Sequence, residues 1–153
     1  MASMIAMSSN EFMIGVLNPL VGYHLRRASG AFAADFAHAL AGTGMRQVLF
    51  AILSIVSVNP TINQGAVGRA LGIKRANMVS LITELVDAGL IDRVTAPDDR
   101  RAFALTLKPA GAAMLAECLK RIEAHEAAML ADFSADERDL LLELLARIEA
   151  RGE

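Results

Sequence analysis

The sequence predicts a mainly α-helical fold with one small β-hairpin, in a single domain over residues 1–153, and three observations predict it. Hydrophobic residues make up 54% of the chain against 21% charged, which is too apolar for disorder and enough for a core. Trp is absent and Tyr occurs once, so the core falls to Ala, Leu, Ile, Val and eight Met, a mixture rich in helix formers. Apolar residues recur at helical spacing through most segments, and the period changes to two only between Leu90 and Leu107.

Asn18-Pro19 puts a capping residue before a proline at the first helical position, so a helix is expected over about Pro19–Leu40. Its middle, Ala28 to Ala34, is rich in small residues that permit close helix approach but give little intrinsic stability at the glycine, so it needs a partner. Gly42-Thr43-Gly44 breaks it. A second helix, about Met45–Val58, is apolar around nearly its whole circumference, which places it centrally in the core, and Asn59-Pro60 ends it. From Asn63 a short helix runs to Leu71 and stops at Gly72. Arg75–Ala88 then carries Met78, Leu81, Ile82 and Leu85 at i, i+3, i+4 and i+7, with Gly89 as its stop. Two helices joined by Gly72-Ile73-Lys74 have the length and turn of a helix-turn-helix.

A strand over Leu90–Thr95, a polar turn over Ala96–Arg101 and a return strand bearing Phe103, Leu105 and Leu107 follow directly. A helix-turn-helix followed by a hairpin is a winged helix, here over residues 45–108. Pro109 opens a long helical segment bearing Leu115, Leu119, Ile122, Met129 and Phe133. Ser134-Ala135-Asp136-Glu137 reads as a capping box for a last helix through Arg147. Leu140, Leu141, Leu142, Leu144, Leu145 and Ile148 give that helix more apolar surface than one contact face can hide. The helices flanking the winged helix, in residues 12–42 and 109–151, are therefore expected to dimerise.

The same residues exclude several classes. The densest apolar run, Val48–Val58, is far short of the roughly 20 residues that span a bilayer. The opening MASMIAMSSNEF has neither a basic start nor a sustained apolar stretch, so it does not read as a signal peptide, and a cytoplasmic protein is expected. A single cysteine, Cys118, excludes an intrachain disulfide and Cys-rich zinc sites. His24, His38 and His125 are scattered, so no metal site is expected, and no cofactor motif or nucleophile–base constellation suggests an enzyme. The net charge of −2 is unusual for a nucleic-acid binder, but it is unevenly spread. Residues 61–108 carry seven basic and five acidic side chains, whereas residues 109–153 carry five and ten. That asymmetry allows local contact with DNA without requiring it.

Over Leu71–Gly111, the segments LGIKRANMVSLITELVDAGLIDR and PDDRRAFALTLKPAG resemble the recognition helix, wing and following helix start of the MarR family of bacterial transcriptional regulators. Gly72, Gly89-Leu90, Asp99-Arg100-Arg101 and Gly111 all fall at that family's distances, and the helix order before and after extends the likeness. Two positions depart from it. Lys74 and Lys108 stand where the family commonly has Ser or Thr, and each change removes a helix-capping acceptor worth about 1 kcal/mol. Lys74 lies where phosphate would be, which recovers that cost on DNA; Lys108 has no such account.

The resemblance implies a DNA face. Opposite the buried stripe of Arg75–Ala88 lie Arg75, Asn77, Ser80, Thr83 and Glu84; Arg suits guanine and Asn suits adenine, so Arg75 and Asn77 are the base-reading candidates, with Lys74, Ser80 and Thr83 beside them. The bland alternative is a solvated helix face. In the wing the family pattern makes Asp99 the orienting carboxylate and Arg101 the side chain inserted into the minor groove, with Arg100 meeting phosphate; a surface ion pair is the alternative. Cys118 reads as a buried inert thiol and His125 as a satisfied core or interface histidine.

Tyr23, His24, Arg26 and Arg27 are the polar cluster of the first helix, which in the family borders a ligand cleft; simple solvent exposure is the alternative. The function implied is a dimeric regulator, usually a repressor, that leaves a pseudo-palindromic operator when a small effector binds. Within the family, LGIKRANMVSLITELV is most similar to regulators of aromatic-acid catabolism, including those responding to hydroxycinnamoyl-CoA thioesters. A winged-helix protein-interaction module without tight DNA binding is the alternative.

Overall fold

The core is organised around α2 (Gln47–Val58), whose Leu49, Ile52, Leu53 and Val56 are all buried. A helix with this little polar surface is stable only when other elements surround it. In the computed structural model, which describes residues 15–152 apart from 97 and 98 and the side chains of 96–102, the chain divides into two compact units, one ending at Ala34 and one starting at Asp35.

The first unit holds a 3-10 turn (Gly15–Leu17) and the beginning of α1 (Val21–Ala39). The helix starts two residues later than Asn18-Pro19 suggested. The 3-10 turn continues through that pair, with Asn18 N–H donating to Gly15 O at 3.2 Å and Leu20 N–H to Leu17 O at 3.1 Å. Leu20 therefore supplies the first helical carbonyl, accepting from Tyr23 and His24 N–H, while the Asn18 carbonyl accepts from His24 Nε2 at 2.9 Å.

In the second unit, α3 (Gln64–Ala70) and α4 (Arg75–Asp87) follow α2, then β2 (Ile91–Ala96), β3 (Asp99–Leu107), α5 (Pro109–Met129) and α6 (Ala135–Glu149). Ahead of α3 lies a two-residue strand, β1 (Ile62–Asn63), that pairs antiparallel with β3, Ile62 opposite Leu105, giving the order β1-β3-β2. Two residues carry no alternation, so nothing in the sequence announced β1. Val67 of α3, Met78, Ile82 and Leu85 of α4, Ile91, Leu105 and Cys118 close over α2 to form one core.

The hairpin is tighter than the sequence suggested. Ala96 pairs with Asp99, with a register shift at Thr95/Ala96, so the backbones of Asp99, Arg100 and Arg101 belong to the strand and not to the turn. At the other end, α5 stops at Met129 and Phe133 falls in the connection, 42% exposed. The capping box forms with both bonds, Ser134 N–H donating to Glu137 Oε2 at 2.8 Å and Glu137 N–H to Ser134 Oγ at 3.2 Å.

Gly111 fixes the junction between wing and α5. A Cβ there would lie 2.0 Å from Leu90 O, the same carbonyl that accepts from Lys108 N–H at 3.0 Å. Only glycine permits this approach. Lys108 caps α5 without a side-chain bond, and its Nζ lies 3.6 Å from Asp92 Oδ1 on β2, an exposed ion pair that the sequence did not disclose.

Candidate nucleic-acid interface

The turn between α3 and α4 is built from backbone. Asn63 caps α3 by accepting from Gly65 N–H at 2.7 Å, and Gly72 takes φ +64 so that Ile73 N–H can reach Gly68 O at 2.8 Å. Gly68 is buried where the helices meet, and a Cβ there would stand 2.9 Å from Met78 Cγ. These contacts hold α4 with Met78, Ile82 and Leu85 inward and its opposite face in solvent.

On that outer face Lys74, Arg75, Asn77, Ser80 and Thr83 are all exposed. Lys74 occupies the N-cap with no side-chain cap bond, as the loss of a Ser or Thr there implies. The Ser80 and Thr83 hydroxyls donate to the backbone one turn earlier, at Asn77 O and Val79 O, both at 2.9 Å, which leaves their oxygens free to accept. Arg75 and Asn77 are not side by side. Arg75 lines a groove of about 500 Å³ with Asn63, Gln64, Arg69, Met78 and Phe103, on the side of α4 that faces the wing. Asn77 does not line that groove.

Two interactions were invisible to sequence reasoning. Glu84, which shares the outer face, is held by Arg46 in a bidentate pair, Nη1 to Oε1 at 2.6 Å and Nη2 to Oε2 at 2.7 Å. That hydrogen bond lowers the Glu84 carboxyl below its ordinary range and raises the arginine. In the wing, the Arg93 guanidinium lies 4.6 Å from the Phe103 ring centroid, and Phe103 is 39% exposed at the edge of the groove. The groove thus gathers Arg69, Arg75 and Phe103, with Arg93 stacked on the ring. The side chains of Asp99, Arg100 and Arg101 lie outside the described residues, as does Asp98, so the wing-tip assignments rest on sequence alone.

In the first unit, Tyr23, His24, Arg26 and Arg27 do come together. The Arg26 and Arg27 guanidinium carbons lie 5.9 and 5.7 Å from the Tyr23 ring centroid, and the His24 ring meets it edge-on at 5.4 Å. Elsewhere, Cys118 is fully buried, and burial pushes its thiol up despite a hydrogen bond with Thr43 that acts the other way. His125 Nδ1 stands 3.0 Å from Asp35 Oδ1. Among the described residues no group of three His, Cys, Asp or Glu could hold a metal ion, and no helix is long and apolar enough to cross a membrane.

The arrangement, an exposed helix beside a basic groove and a hairpin, can present cations and hydrogen-bonding groups to a nucleic acid. Comparison with known proteins leads to the same place. Residues 44–102 match the model of the MarR family. A Thauera aromatica protein assigned as a transcriptional regulator of the hcr operon is 32% identical over 139 residues, covering 90% of this chain and 84% of that protein. The transcriptional repressor CouR, solved on a 23-mer DNA duplex, superposes with a TM-score of 0.86 at 35% identity, covering 92% of this chain and 99% of CouR. CouR bound to p-coumaroyl-CoA gives a TM-score of 0.79 at 34% identity, over 91% and 98% of the two chains. The PcaV regulator of Streptomyces coelicolor, solved with its natural ligand, shares the fold, with a TM-score of 0.78 at 24% identity, over 96% of this chain and all of PcaV. The chain belongs to the MarR family of transcriptional regulators.

Proposed function

We propose that the chain is a dimeric cytoplasmic repressor that binds a pseudo-palindromic operator and leaves it when an aromatic acid or its CoA thioester binds, without catalysing a reaction. The observation that carries this reading is the likeness to CouR, which has been solved both on DNA and with p-coumaroyl-CoA at about a third identity over nearly its whole length. The exposed apolar face of α6 supports the dimer.

Each half of the action has its residues. On DNA, Arg75 and Asn77 read bases through the major groove, Lys74, Ser80 and Thr83 fix the helix on the backbone, and Arg100 and Arg101 serve the wing, with Asp99 orienting Arg101. For the effector, Tyr23, His24, Arg26 and Arg27 form the anchor: two guanidiniums beside an aromatic ring suit an anionic aromatic ligand. An effector that prefers the dimer whose recognition helices are wrongly spaced for adjacent grooves lowers operator affinity by that same preference.

A gel-shift assay on the chain's own upstream DNA, against excess nonspecific DNA, tests the first half. Thermal-shift screening with aromatic acids and CoA thioesters tests the second, since a ligand at 100 times its dissociation constant adds about 2.7 kcal/mol. Tyr23→Ala and Arg27→Ala should each retain operator binding and lose response to the effector found. If both variants respond as the wild type does, the anchor lies elsewhere. If no duplex is bound above background, the winged helix does not serve DNA at all.

A further inference from the structure

We infer that Arg46 masks the charge of Glu84, so that the acid of the recognition helix nearest its reading end is not open to the phosphate backbone. The inference rests on the DNA-binding reading above and goes beyond it to a residue outside the helix-turn-helix. α4 holds Asn77, Ser80 and Glu84 at i, i+3 and i+7, which places them along one stripe of the helix. A bare carboxylate on that stripe would repel the phosphates that flank a reading helix. Asp87, the other acid of α4, is exposed and continues the same stripe at i+10, but it stands three residues further than Glu84 from the N-terminal end that enters the groove.

Arg46 is contributed from a distance. It stands at the N-cap of α2, where its side chain makes no cap bond, and reaches 38 positions along the chain to engage both oxygens of Glu84. Stability does not account for it. The two side chains are 51% and 44% exposed, and solvated pairs of this kind contribute little to folding. The bidentate fork does, however, hold a guanidinium in place over the carboxylate, so the pair presents almost no net charge to an approaching polyanion.

Masking predicts a double-mutant result different from that of helix pinning or of direct phosphate contact by Arg46. The measurements are the affinity of Arg46→Ala, Glu84→Gln and the double variant for a labelled duplex selected from random sequence with the wild type, over a salt series, with thermal melting as the fold control. Under masking, Arg46→Ala binds about tenfold more weakly at low salt, and the deficit shrinks as salt rises. The double variant, which has lost both charges, returns to near wild-type affinity although the pair is still broken. Glu84→Gln alone binds at least as tightly as the wild type, with a steeper salt dependence from the unpaired arginine.

A double variant as weak as Arg46→Ala would overturn the inference, since pinning and direct contact both predict that result. Arg46→Ala binding like the wild type would overturn it as well. If the wild type itself selects no duplex, the DNA-binding reading falls and this inference with it; if the wild type binds and the cycle fails, only the inference falls.

Discussion

In α4, Met78, Ile82 and Leu85 are at most 1% exposed, whereas in α6 Leu140, Leu142, Leu144 and Ile148 are 53%, 65%, 42% and 48% exposed. Both helices carry a similar density of large apolar residues. The winged helix finds partners for them within the chain, through α2, β2 and β3, and closes its own core. α6 has no buried residue at all. The contrast separates a part whose fold is specified internally from a part whose apolar face finds no cover within the chain, the face that the proposed dimer would bury.

The most severe way to break the closed part is at Gly111. Gly111→Ala drives a Cβ to 2.0 Å from Leu90 O and 2.8 Å from Leu107 Cδ1, where a backbone carbonyl cannot yield as a side chain would. The expected cost is about 3 kcal/mol or more, read as a lower urea midpoint or as failure to fold. Gly68→Ala should cost less, because the nearest atom it meets is the flexible Met78 side chain. Equal midpoints for Gly111→Ala and wild type would show that β2 and α5 are not locked together here.

The open part should break differently. Leu140 and Leu144 share one exposed stripe, so Leu140→Glu with Leu144→Glu should leave the winged-helix core melting cooperatively while converting a dimer to a monomer by sedimentation. Leu141 and Leu145 are poorer probes, being half-buried within the chain, where a glutamate would also disturb α6 itself. A doubly substituted protein that still sediments as a dimer would place the interface elsewhere.

The same contrast governs what the sequence disclosed. Winged-helix elements were legible because each is bounded by its own local signal: Asn63 before α3, Gly72 and Gly89 after α3 and α4, Pro109 before α5. Their cores follow from period. What escaped was nonlocal: β1, whose only evidence is a partner 43 residues away in the register of Ile62 with Leu105, and the pairs Arg46–Glu84 and Lys108–Asp92. Glu84 looked like a free outer-face residue because spacing reports direction and not partners. The helix start at Asn18-Pro19 misled for a related reason, since the signal suits any tight turn and the 3-10 turn took it. Of the site, the sequence placed Arg75 and Asn77 on one helix but did not show that Arg75 lines the groove beside it while Asn77 does not.

Within the DNA face, that separation sharpens into a difference in kind. Arg75→Ala and Asn77→Ala should each lose roughly 1 to 3 kcal/mol per half-site and relax base preference, at different positions of the operator. Arg100→Ala should weaken all sequences alike and flatten the salt dependence. Competition binding on an operator library reads all three. Uniform losses from Arg75→Ala and Asn77→Ala would reduce α4 to a backbone clamp.

The smallest effect is expected where the open part is locally best specified, at the start of α6. Ser134→Ala removes the acceptor for Glu137 N–H and should cost about 1 kcal/mol of stability at neutral pH. The Glu137 carboxyl is held below its ordinary range by the Ser134 backbone N–H and then by the Ser134 side chain. A lowered folded-state pKa gives stability that is fully present above the ordinary glutamate value and is lost as pH falls through the lowered one. The wild type should therefore lose more melting temperature on acidification than Glu137→Gln, whose cap has no proton to gain. Parallel pH profiles for the two proteins would mean that the charge of Glu137 adds nothing at this helix end, and that α6 depends on its dimer contacts alone.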